Sequence, residues 1–304
     1  MAGDASSSPT LSELRSCAFE QRMPNKLMDC KNPLYFITKN QRSSVFSYMK
    51  DVAFDWAFLD GHVEVVVLRA LRYFDRFIHG WNTVTNCKWT SVEDSLNRYR
   101  KVSSLVLSQT VGRDCADHIL SFIQRSDISE DVTKRHQDDM RNLAEKTSLV
   151  CLVLSVKFEG RWDVNLYQNI ALYTLDGRVN KQELIEHEVS VLSMIDWRLN
   201  FFPPCQFLEL LYNEVGFTPD DDFKRAANDA VRLCSVLSGL QSRSACVLAT
   251  VAILVALRHR SRRDLYPFYF EPLRVACGVN AHYGSAWLSH TTAYVLDLFV
   301  SARE

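Results

Sequence analysis

Residues that interrupt helices are scarce in this chain, which has 10 glycines and 8 prolines among 304 residues. Together they make up ~6% of the sequence, about half the usual share of these two residues. Hydrophobic residues account for 47% and charged residues for 23%, the composition of a chain that folds around a core. The sequence therefore predicts an all-α globular protein and disfavours collagen-like, low-complexity and turn-rich β structures.

Three parts are predicted along the chain. Residues 1–40 begin with small and polar residues, and we expect them to form a partly flexible N-terminal arm. Helical periodicity runs through 41–202, interrupted by an insertion at about 82–138 that we expect to be largely helical. Pro203-Pro204 breaks the pattern, and further helices follow over 203–304. Each lobe then has about five helices, with the most apolar one third.

The first helix of the first lobe is predicted to begin near Ser43 and to end at Asp60. Met49, Val52 and Trp56 are three and four residues apart, so they share one face of this helix.

Two later helices of the same lobe are also clear in the sequence. The first runs from about Met140 to Phe158, is nearly all apolar after Ser148, and is expected at the centre of the lobe. The second begins at Asn180 or Lys181 and is predicted to end at Trp197.

Charge and cysteine content exclude several functions. The formal net charge is −1, from 35 basic and 36 acidic residues, so the chain lacks the basic excess that nucleic acid or anionic lipid requires. Its longest apolar stretch, Ala245 to Leu257, is too short to span a bilayer. Nine cysteines without Cys-x-x-Cys spacing indicate a reduced compartment, the nucleus or the cytoplasm. We expect no direct binding to nucleic acid or membranes.

No catalytic motif or metal-ligand spacing is present, so neither a cofactor nor a catalytic residue is predicted. One acidic run, Asp220 to Asp222, resembles the magnesium-binding cluster of all-helical prenyl-chain enzymes. A helix begins just after this run, and helix N-termini favour aspartate because their amide groups are free. We interpret the run as a helix cap and keep a metal-dependent helical enzyme as an alternative.

Five segments, in order, resemble the signatures of cyclins. Met49–Trp56 resembles the first-helix pattern Met-Arg-x-Ile-Leu-x-x-Trp, and Tyr73–Phe77 resembles the second-helix pattern Tyr-x-Asp-Arg-Phe. Leu152–Glu159 resembles Leu-Ala-Ser-Lys-Phe-Glu of the third helix, and Glu188–Leu199 has the spacing of the fifth. In the second lobe, Arg243–Ala249 resembles the Arg-Pro-Ser-x-x-Ala region.

The resemblance implies a non-catalytic regulatory subunit that binds and activates a cyclin-dependent Ser/Thr kinase in cell-cycle control. It implies two tandem five-helix lobes, with Lys157, Phe158 and Glu188 on the kinase-facing surface. It also implies a structural ion pair between the first two helices, for which Lys50 and Asp75 are the matching residues.

Met49, Val52 and Trp56 match the face on which some cyclins dock Arg-x-Leu substrate peptides. Packing in the core of the first lobe is the alternative for this face. Three further interpretations of the whole chain stay open: a cyclin-fold binding module for transcription or scaffolding, a cyclin-like protein without kinase binding, and the helical enzyme named above.

Overall fold

The structure, a computed structural model, is all helical over the residues that it describes. Ten helices and no β-strand occur there, which confirms the predicted all-α class. The chain divides after Leu199 into two compact units. The described residues are 39–56, 61–85, 130–160, 166–173, 180–237, 240, 243–259, 264–279 and 281–302.

Among the described helices of the N-terminal unit, the third is central and contacts each of the other four. Its residues from Leu149 to Val156 are all buried, because the apolar run leaves no polar face. The helices of this unit are α1 (Lys39–Phe54), α2 (Val63–Thr85), α3 (Glu130–Phe158), α4 (Leu166–Tyr173) and α5 (Lys181–Met194).

Close contacts hold α2 against the other helices of this unit. The hydroxyl of Ser155, on α3, donates to the carbonyl oxygen of Val66 at 2.8 Å. At Gly80 the backbone of α2 approaches the end of α5, and a Cβ there would lie 2.8 Å from Cγ and 2.9 Å from the carbonyl oxygen of Met194. Glycine therefore permits the approach of these two helices.

Two predicted helix ends in this unit are wrong. α1 ends at Phe54 and not at Asp60, so Trp56 follows the helix. α5 ends at Met194 and not at Trp197, because Asp196 and Trp197 both have a φ of 56°. The amide of Trp197 donates to the carbonyl oxygen of Leu192 at 2.8 Å, which closes the helix end.

The predicted arm and insertion lie mostly outside the described residues. Of the arm, residues 39 and 40 belong to α1. Of the insertion, residues 82–85 belong to α2 and 130–138 to α3, so both ends of this interval are helical.

The described helices of the C-terminal unit are also arranged around their third member, α8, which contacts the other four. Every residue of α8 from Ala245 to Leu257 is buried. Among the described residues, no helix is both long and apolar enough to cross a membrane. The helices of this unit are α6 (Gln206–Glu214), α7 (Asp221–Val236), α8 (Ala245–His259), α9 (Leu265–Ala276) and α10 (Ala281–Ser301).

Candidate functional site

The structure brings Lys157 and Glu188 together between α3 and α5. The ammonium Nζ of Lys157 donates to both carboxylate oxygens of Glu188, at 2.6 Å to Oε1 and 2.7 Å to Oε2. The Lys157 side chain is 24% exposed and that of Glu188 13%. Lys157 lies in the last turn of α3, where the helix dipole favours a positive charge. The pair is therefore well ordered and still reaches the surface.

A third residue, Tyr167 in the first turn of α4, contacts both members of this pair. The sequence does not predict its part in the site. Its hydroxyl donates to Oε2 of Glu188, and Nζ of Lys157 lies 3.3 Å from the same hydroxyl. Nζ also lies 4.9 Å from the centre of the Tyr167 ring. Burial, then the charge of Glu188 and the hydrogen bond to it, raises the pKa of Tyr167. The tyrosine therefore stays protonated and acts as a donor that orients the Glu188 carboxylate.

Apolar surface adjoins both members of the pair. Phe158 directly follows Lys157 and is 42% exposed, and Val189 directly follows Glu188 and is 44% exposed. α3 ends just after Phe158, because Gly160 adopts a φ of 69° and its amide donates to the carbonyl oxygen of Lys157 at 3.0 Å. We refer to Lys157, Phe158 and Glu188 as the α3–α5 site.

Arg69, on α2, contacts this site from the side of the core. Its side chain is almost fully buried, and its Nη1 donates to Oε1 of Glu159. Its guanidinium carbon lies 4.6 Å from the centre of the Phe158 ring. A sequence signal for Arg69 exists, because it lies between Val66 and Tyr73 on the apolar face of α2 and so predicts a buried cation that needs an acidic partner.

The ion pair between α1 and α2 is formed by Arg42 and not by the predicted Lys50. Nε and Nη2 of Arg42 each donate to one carboxylate oxygen of Asp75 at 2.6 Å, and both side chains are buried. Lys50 is exposed, with its Nζ 5.8 Å from the centre of the Phe54 ring. The physical reason is helical geometry. Arg42 and Met49 are seven residues apart and share the buried face, whereas Lys50 is rotated about 100° around the helix axis from Met49.

The predicted docking face is corrected in the same way. Met49 has no exposed area and Val52 is 7% exposed, so both belong to the core of the N-terminal unit. Trp56 is partly exposed but lies beyond the end of α1. A buried side chain offers no surface to a peptide, so Met49 and Val52 cannot line a docking groove.

The acidic run of the C-terminal unit is a helix cap, as we interpreted it. The carboxylate of Asp220 accepts a hydrogen bond from the amide of Phe223 at 2.8 Å, which caps α7. Asp222 forms an ion pair with Arg225 one turn along the same helix. Across the described part of the chain, no group of three or more His, Cys, Asp or Glu side chains is arranged to hold a metal ion.

Comparison with known proteins finds similarity at the level of structure. No protein-family model matches the chain, and no curated protein matches it in sequence. Among solved structures, the chain is similar to a viral cyclin from herpesvirus saimiri, with a TM-score of 0.57 and 13% sequence identity. The similarity covers 97% of this chain and 98% of the viral cyclin.

Together, the helical units and this full-length similarity define the fold of the chain. The chain has a cyclin fold.

Proposed function

We propose that the chain is a cyclin, a regulatory subunit that binds and activates a cyclin-dependent Ser/Thr protein kinase through the α3–α5 site. In this role the chain carries out no chemistry itself. The proposal extends to a role in cell-cycle control, in the nucleus or cytoplasm. The observation that carries it is the partly exposed, doubly hydrogen-bonded pair of Lys157 and Glu188 beside the exposed ring of Phe158.

The physical mechanism follows from what a kinase requires. A kinase is active when a lysine of its third strand pairs with a glutamate of its C-helix, because this pair holds the nucleotide phosphates. A subunit that binds only the conformation with the C-helix in place shifts the kinase population towards activity. An exposed aromatic ring beside a pair of opposite charges suits such a partner. The charges can hydrogen-bond to backbone groups of the kinase, and the ring can pack against its apolar side chains.

A purely structural ion pair is the simpler explanation for Lys157 and Glu188. Exposed ion pairs contribute about 0–1 kcal/mol to stability, and this pair is only partly exposed. Two observations favour binding: each member is followed by a half-exposed apolar residue, and Tyr167 fixes the carboxylate. A stability role alone would leave both apolar residues unexplained.

The test is co-purification of kinases with the double variant Lys157→Ala, Glu188→Ala. We expect this variant to lose the cyclin-dependent kinase that co-purifies with the wild-type chain, and the associated phosphorylation of a histone or polymerase-tail substrate. Circular dichroism should show unchanged helical content.

The chain offers a matched control. Lys146 and Glu183 form another ion pair between α3 and α5, with Nζ and Oε2 3.8 Å apart. Lys146 precedes Lys157 by three helical turns, about 16 Å. The variant Lys146→Ala, Glu183→Ala removes the same charges from the same helices and should still bind the kinase. If both double variants bind the kinase as well as the wild type does, the α3–α5 site is not the binding surface. If the wild-type chain binds no cyclin-dependent kinase, a kinase-independent binding module is favoured instead.

A further inference from the structure

An almost fully buried arginine at the edge of the α3–α5 site needs an explanation. Arg69 is 1% exposed, and fully buried arginines are rare unless a partner offsets their charge. Its partner is Glu159, the residue after the end of α3, which is 19% exposed. The charge of Arg69 is therefore neutralised at the boundary between core and surface.

The same guanidinium also contacts Phe158. Its central carbon lies 4.6 Å from the centre of the ring, within the range of a cation–π contact. A guanidinium is planar, so it can donate from its edge to a carboxylate while its face lies on a ring. Arg69 thus ties two consecutive residues at the end of α3 to α2.

The consequence concerns the partner-facing ring. Residues at the end of a helix lack the restraint of a following turn, and α3 ends just before Gly160, which has a φ of 69°. Phe158 nevertheless keeps 42% of its surface exposed while Arg69 covers part of it from the core side. A ring held in place before binding loses less side-chain entropy when the partner arrives.

We propose that Arg69 is a positioning residue, which holds the ring of Phe158 in the orientation that the partner kinase contacts. The inference rests on the proposed function, because it concerns how the α3–α5 site binds. It adds a residue of α2 to a site otherwise built from α3 and α5.

The experiment uses the full chain with Phe158→4-fluorophenylalanine as a fluorine NMR probe. Arg69→Lys retains a positive charge for Glu159 and loses the planar stack, and Arg69→Met loses both. We expect a single, broad fluorine resonance of a restrained ring in the wild type and a narrower, averaged resonance in both variants. Arg225→Met, which breaks an exposed ion pair with Asp222 in the other unit, is the matched control and should leave the resonance unchanged.

The second measurement is the affinity for a panel of purified monomeric cyclin-dependent kinases. We expect Arg69→Lys to weaken binding about tenfold, the loss of one cation–π restraint. Because Arg69 acts through Phe158, the double variant Arg69→Lys, Phe158→Ala should bind no more weakly than Phe158→Ala alone. The midpoint of thermal unfolding of Arg69→Lys should stay close to that of the wild type. A loss of affinity without a loss of stability would then reflect the position of the Phe158 ring.

The outcomes distinguish this inference from the proposed function. An unchanged fluorine resonance in Arg69→Lys, or losses of affinity that add in the double variant, would overturn the role of Arg69 even if the kinase binds. Binding to no kinase of the panel by the wild type would instead refute the proposed function, and the partner-facing role of Arg69 would fall with it.

Discussion

The Arg42–Asp75 ion pair makes a sharp prediction, because the sequence and the structure assign different partners to Asp75. Asp75 is 3% exposed and receives two hydrogen bonds of 2.6 Å from Arg42. Removing one partner of a buried ion pair costs about 3–5 kcal/mol, since the other charge stays buried without compensation. The charge of Arg72 still compensates Asp75 in part, so we expect Arg42→Met to lower the free energy of unfolding by about 3 kcal/mol, the lower end of this range.

Lys50→Met is the control, because Lys50 is the partner that the cyclin signature predicts. Its side chain is exposed, and substitutions at exposed positions usually change stability by less than about 0.5 kcal/mol. Asp75→Asn should cost more than Arg42→Met. Arg72 also interacts with Asp75, and burial, opposed by the charge of Asp75, lowers the pKa of Arg72 to about 10. The loss of Asp75 therefore leaves two arginines without their acidic neighbour.

The assay is urea denaturation of the full chain, followed by the helical signal in circular dichroism. Because the chain has two units, hydrogen exchange measured by mass spectrometry should locate the loss of protection in α1 and α2. Equal midpoints for Arg42→Met and Lys50→Met, or a larger loss for Lys50→Met, would refute the pairing in the structure and restore the partner predicted from the sequence.

Two further predictions concern a helix cap and a buried histidine. Asp220→Ala should destabilise the C-terminal unit by about 1 kcal/mol in urea denaturation, because it removes the N-cap of α7. Asp221→Ala in the same turn should cost less, and equal losses of stability would contradict the assignment of Asp220 as the cap. Burial, and then the charge of Lys146, lowers the pKa of His187 to about 3. The unfolded chain, with a histidine pKa of about 6.5, therefore binds more protons, and stability should fall by about 1.4 kcal/mol per pH unit as the pH drops below 6.5. His187→Gln should reduce this slope between pH 6.5 and 4, and an unchanged slope would show that other groups cause it.

Much of the fold was predictable because its signals are local. The apolar run that ends at Phe158 indicates a central helix by composition alone, and α3 contacts every other described helix of its unit. The acidic run at Asp220 has the chemistry of a helix cap, and the structure shows that hydrogen bond. Such signals depend only on neighbouring residues, so a single sequence contains them.

The end of α5 was not predictable, because the usual signal is missing. A left-handed C-terminus is normally marked by glycine, whereas here Asp196 and Trp197 take that conformation, which costs a bulky side chain energy. Tyr167 was missed for another reason. It reaches Glu188 from 21 residues earlier in the chain, and no local pattern indicates that contact.

The register of α1 decides what the first helix can offer a substrate peptide. The signature places its tryptophan six residues after the arginine, and Tyr48 stands six residues after Arg42, with the buried Val45 in the place of the leucine. In this register, which begins eight residues earlier than the predicted one, Gln41 and Ser44 occupy the places of the methionine and isoleucine of the docking face. Ser44 is exposed and polar, so it offers no apolar contact to the leucine of an Arg-x-Leu motif.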